Sequence, residues 1–67
     1  MTPTRLRALL VHLDLTQVGA AKLIGRSQRA MRDWVSGRKP LPKRERMIFQ
    51  LLEQGKITVR DIEDVRK

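Results

Sequence analysis

The sequence predicts an all-α fold: a compact bundle of about five short helices forming a single domain over 1–67. Three observations predict it. Apolar residues recur at three- and four-residue intervals, as in Leu6, Leu9, Leu10 and Leu13, the spacing of one helical face. Periodic segments open on helix-start residues, Thr2, Thr16, Ser27, Pro42 and Thr58, and several close at a glycine. No stretch alternates apolar and polar residues as a half-buried strand does, and no internal repeat or low-complexity run interrupts the pattern.

Each element has a local reason. Helix one is expected over 3–13: Thr2 caps it, and Pro3 stands at the first helical position, where its missing N–H costs nothing. Asp14 and Leu15 form the connection. Thr16 caps helix two, over 17–24, and Gly25 stands where that segment must stop and reverse, a position that favours positive φ. Ser27 caps helix three, over 28–36, which runs to Gly37. Pro40 and Pro42 bar a helix from crossing the loop 37–41, and Pro42 itself opens helix four, which continues through Glu53 and stops at Gly55. Thr58-Val59-Arg60-Asp61 resembles a capping box with Asp in place of Glu, and starts helix five over 59–66.

The expected core is Leu6, Leu9, Leu10, Leu13, Leu15, Ala20, Ala21, Ile24, Met31, Trp34, Ile48, Leu51 and Leu52. From Met47 to Leu52 only Gln50 is polar, which is more apolar surface than one helical stripe holds. Ile57, Ile62 and Val65 add to it. Either helix five folds back over helix four and covers this surface, or Met47, Phe49, Ile57, Ile62 and Val65 form a two-fold interface with a second copy; both hold if helix five builds the interface.

Composition excludes several classes of function. Without cysteine there is no disulfide framework and no thiolate metal site, and with His12 as the one histidine a zinc site is not credible. Neither a metal, a cofactor nor a small-molecule ligand is expected. No apolar run approaches the ~18–20 residues of a membrane span, and Met1 to Arg7 lacks a signal-peptide pattern, so a cytoplasmic location is expected. No nucleophile, base and carboxylates are grouped for catalysis; Asp61, Glu63 and Asp64 sit among Arg60, Arg66 and Lys67, as in an internally paired helix end, and no enzyme is expected. The net charge is +8, and residues 22–46 carry nearly all of it, with nine basic side chains against Asp33 and Glu45. A surface so concentrated is the footprint of a polyanion partner rather than a scattered solvated face. It does not suit a lipid surface, because Met31 and Trp34 are needed inside.

Helices two and three carry the functional signal. Ala21 is small enough for a close crossing, and Ile24, Met31 and Trp34 meet in the angle between them. Gln28, Arg29, Arg32, Asp33 and Ser36 remain outside, with the length and chemistry to read base edges and phosphates. The spacing of Gln17, Ala21, Gly25, Met31 and Trp34 resembles the helix-turn-helix of the Cro and phage-repressor family, also called the XRE family. The continuation Trp34-x2-Gly37-Arg38-Lys39-Pro40 resembles it too, and the likeness covers residues 5–54. It implies a lambda-repressor-like DNA-binding domain, with helix three in the major groove and helix two across the backbone. The function it implies is transcription regulation: an autoregulating repressor of a phage or mobile element, homodimeric on an inverted repeat of double-stranded DNA, in the bacterial nucleoid or the phage-infected cell. On so short a chain the ending is also similar to small regulators of anti-CRISPR operons. Arg26 departs from the family pattern, which usually has an apolar residue after the turn glycine. Either its stem lies along the core edge with its head in water, or the turn is tilted.

Gln28 is the foremost base reader, able to pair with adenine through two hydrogen bonds. Arg29 and Arg32 read guanine or hold phosphates; Asp33 accepts from cytosine N4 or orients Arg29 across one helical turn. Gln17 resembles the family glutamine that holds a phosphate at a helix N-terminus. Ser27, Ser36, Arg38, Lys39 and Lys43 are expected at phosphates, with Arg44 and Arg46 extending that track. Trp34 is expected in the core rather than stacked on a base. Two rivals remain. One is an antitoxin-type protein-interaction module that masks a partner protein, against which the basic surface argues and for which 56–67 is a short arm. The other is a non-specific DNA-coating protein, for which Gln28 and Asp33 would be superfluous.

Overall fold

The structure is a computed structural model that describes residues 1–66, with side chains described through Val65. Five helices follow one another: α1 (Pro3–His12), α2 (Gln17–Ile24), α3 (Gln28–Ser36), α4 (Lys43–Glu53) and α5 (Val59–Arg66). Among the described residues there is no strand. The expected bounds differ by a single residue, at the end of α1 and at the start of α4, where Pro42 is the cap rather than the first helical residue.

The ends of the helices form as side-chain chemistry dictates. The Arg5 N–H donates to Thr2 Oγ1, the Gly19 N–H to Thr16 Oγ1 and the Ala30 N–H to Ser27 Oγ, at 3.2, 2.9 and 3.1 Å. Each satisfies one of the amides a helix leaves free at its start. Thr58 and Asp61 form the reciprocal capping box: Thr58 N–H donates to Asp61 Oδ2 at 2.8 Å, and Asp61 N–H to Thr58 Oγ1 at 3.1 Å. Gly25, with φ 74°, ends α2 in the left-handed region, so that the Arg26 N–H returns to the Ala21 carbonyl at 2.9 Å.

The core is built from Leu6, Leu9 and Leu10 of α1, Ala20, Ala21 and Ile24 of α2, Met31, Trp34 and Val35 of α3, and Phe49 and Leu52 of α4. Ala20 and Ala21 are fully buried where α2 meets α3; α1 packs against α3 and α4. Leu13, Leu15 and Ile48 pack only partly against this core. On α4 Leu52 is buried as expected, but Glu45 and Phe49 complete the inward stripe, while Ile48 and Leu51 are only partly buried. A carboxylate thus occupies a core position. Leu23 and Val35 are buried as well, which extends the α2 and α3 contributions.

Helix α5 packs against α2 rather than lying along α4. It leaves a groove of about 400 Å³ whose lining includes Leu23, Ile24, Ile48, Ile57, Ile62 and Val65. Two of the five residues assigned to a two-fold interface stay well exposed: Met47 at 52% and Val65 at 86%. Ile57 and Ile62 are half-buried against the core. Phe49 is corrected: at 0% exposure it is a core residue with no surface to offer a partner. The expected pairing of the acidic cluster with the Arg66 and Lys67 side chains lies outside the described residues. None of the described helices is long and apolar enough to cross a membrane.

Candidate nucleic-acid interface

Burial divides α3 into two faces. Met31, Trp34 and Val35 point into the core, while Gln28, Arg29, Arg32 and Ser36 are exposed along the opposite side. The division follows from the helical period, since 28, 32 and 36 are successive fourth residues and 31, 34 and 35 fill the other stripe. Three long polar side chains, two of them cationic, therefore project together from one short, rigid helix.

Asp33 does not join them. It is 7% exposed, with Oδ2 3.8 Å from Lys39 Nζ, and its carbonyl accepts from the Lys39 N–H at 3.2 Å. It turns toward the following loop instead of to Arg29 or to solvent, so its assignment as a base reader or a partner of Arg29 is corrected. Ser36 has a similar role: its hydroxyl donates to the Asp33 carbonyl at 3.2 Å and accepts from the Arg38 N–H at 3.4 Å. Both residues shape the end of α3 and the loop that carries Arg38 and Lys39.

That loop is pinned from outside. Gly37 has φ 81°, and a Cβ there would stand 3.2 Å from Pro3 Cγ. The start of α1 thus rests on the turn that ends α3. Beside it lies a groove of about 340 Å³ whose lining includes Pro3, Trp34, Gly37, Lys39 and Arg46. Among the cations at the start of α4, it is Arg46 that reaches the loop. Lys43 and Arg44 flank Met47, Ile48 and Leu51 on the outer face of α4.

At the other end of α3, Ser27 Oγ is taken up as a cap acceptor, which leaves its own proton free to donate. Gln17 is the exposed first residue of α2, behind the Thr16 cap. The free amides of both helix starts favour an anion. Gly19 keeps the Thr16 cap open, since a Cβ at 19 would lie 3.1 Å from Thr16 Oγ1.

Arg26 resolves its departure from the expected apolar residue. Its guanidinium lies 5.8 Å from the centroid of the Trp34 ring, and Nε is 3.3 Å from Oε1 of Glu45, which is 1% exposed. Sequence reasoning treated Glu45 as one of the charges of a basic segment and missed it. The available signal was Pro42: an acid at the third position of α4 has no N-cap N–H to fold back to. No family model matches the chain, and neither a curated protein nor a solved structure is similar to it. Among the described residues no three His, Cys, Asp or Glu side chains come together to hold a metal ion.

Proposed function

We propose that the protein is a sequence-specific double-stranded DNA-binding protein, a helix-turn-helix transcriptional repressor of the Cro and phage-repressor kind. The observation that carries this reading is the exposed face of α3, where Gln28, Arg29 and Arg32 project from a helix joined to α2 by a turn through left-handed Gly25. Side chains of this length on an exposed helix suit major-groove base edges. The cationic loop at Arg38 and Lys39, Arg46 beside it, and the helix start at Gln17 suit phosphates on either side.

Size supports binding as a homodimer. A nine-residue helix is about 13 Å long, which covers roughly four base-pair steps of ~3.4 Å, too few for high selectivity. Half-sites one helical turn apart are separated by ~34–36 Å, and the longest dimension of the protein is 30 Å. Two copies fit side by side on one face of the duplex. The outer face of α4 at Met47, with Val65 of α5, offers exposed apolar surface for the contact.

Selecting bound duplexes from a random pool tests this reading. A palindrome with half-sites one turn apart is the expected result. A single half-site would remove the dimer, and the absence of any preference, with binding only at low salt, would leave a DNA-coating protein.

A further inference from the structure

Glu45 is a charged residue in a core position, and none of the proposed DNA contacts uses it. Neither of its carboxylate oxygens accepts a hydrogen bond from the described residues. Its cations are Arg26, whose Nε is 3.3 Å from Oε1, and the well-exposed Arg44, whose Nη1 is 3.9 Å from the same oxygen. Arg26 stands between Gly25, which ends α2, and Ser27, the cap of α3, and its guanidinium also lies over Trp34 in the last turn of α3. One side chain thus meets the entry of α3, the ring near its exit and the first turn of α4. The carboxylate is free for this because Pro42, at the N-cap of α4, has no N–H to receive it.

We propose that Arg26 is a positioning residue. Held by buried Glu45 and laid over Trp34, it sets the angle at which α3 presents Gln28, Arg29 and Arg32, and so governs sequence selectivity without touching a base. This rests on the DNA-binding reading above. The physical reason is the asymmetry of a buried charge: any tilt of α3 that withdraws Arg26 leaves Glu45 enclosed without its nearest cation, which is strongly unfavourable. Base-reading side chains, for their part, work only within about 0.5 Å and 10–20° of the productive geometry. A turn residue tied to α4 meets that requirement; an apolar residue at 26 would slide more freely.

The test uses Glu45→Gln, Arg26→Met and the double variant, each compared with the unaltered protein at a temperature where circular dichroism shows it folded. Glu45→Gln keeps every cation that could reach DNA, so it separates positioning from lost contacts. Affinity is measured for the selected duplex and for a scrambled one. Each single variant is expected to lower the ratio of the two affinities about tenfold, the size of one impaired base contact, and the double variant no further than either single. Wild-type ratios in folded single variants would overturn the proposal, as would a double variant whose loss is the product of the two. Should Arg26→Met fail to fold because Glu45 is stranded, Glu45→Gln and the double variant carry the same comparison. Amide exchange in the free protein keeps the two readings apart. Glu45→Gln should speed exchange at Ala30 and Met31 relative to Leu9 even if no duplex is preferred, and unchanged exchange at these amides would overturn the positioning role by itself.

Discussion

At the scale of the residue, Trp34 and Gly37 both hold the C-terminal end of α3. Trp34 is 5% exposed, sits among the buried side chains of α1, α2 and α4, and carries the Arg26 guanidinium over its ring. Truncating such an aromatic costs about 3–5 kcal/mol, and a domain of this size has roughly that much stability in all. Trp34→Ala is therefore expected to abolish the cooperative thermal transition followed by circular dichroism. A variant that melts normally but no longer binds DNA would place the ring at the DNA surface instead. Gly37→Ala acts through the backbone: a left-handed alanine costs about 1–2 kcal/mol, and its Cβ would press on Pro3 at 3.2 Å. The expected outcome is a lower urea midpoint with an unchanged slope, which reports lost stability without a change in the surface exposed.

At the scale of the element, the proposed DNA-binding role divides selectivity from affinity at the end of α3. Gln28 and Arg32 stand on its exposed face, whereas Arg38 lies beyond its end in the loop shaped by Asp33 and Ser36. Gln28→Ala and Arg32→Ala should each cost about 1–3 kcal/mol on the preferred duplex and relax one base pair per half-site. Arg38→Ala should weaken preferred and scrambled duplexes alike and lower the salt slope by about one. Binding titrations over a salt series check both. Base preference that changes with Arg38→Ala and persists in Gln28→Ala would mean that another element enters the groove.

The loop also shows where sequence reading was strong and where it was not. Helix ends were legible because each depends on neighbours: Thr16 on the Gly19 amide, Ser27 on the Ala30 amide, Thr58 and Asp61 on each other. Asp33 was not, because its partner Lys39 lies past the end of the helix, beyond the i,i+4 rule that suggested Arg29. Lys43 and Arg46 are similar in sequence, and only the direction in which α4 leaves the loop distinguishes the cation beside Gly37 from the one beside Met47.

At the scale of the molecule, the proposed two-fold arrangement rests on the outer surface of α4. The outer face of α4, with Met47, Ile48 and Leu51 between Lys43 and Arg44, borders the groove under α5 through Arg44 and Ile48. Sedimentation at micromolar concentration is expected to give about twice the monomer mass. Met47→Glu, a charge on an already exposed position, should return the protein to monomer without lowering its folding stability by more than the roughly 0.5 kcal/mol typical of surface changes. A monomer in the unaltered protein, both free and on DNA, would remove the two-fold arrangement.

The sequence by itself determined the helical class, the limits of the five helices to within one residue, the turn at Gly25, the burial of Met31 and Trp34, and the exposure of Gln28, Arg29 and Arg32. All of these follow from contacts within a few residues of chain, where spacing, caps and glycines act directly. Only the tertiary structure decided that Glu45 is fully buried while Ile48 is only partly so, that Phe49 belongs to the core, that α5 rests on α2, and that Arg26 is tied to α4. Hydrophobic patterning places a carboxylate outside by default, since burying an unpaired charge is costly. The default fails here because the cation that compensates Glu45 comes from nineteen positions earlier, and no local pattern records a partner at that distance.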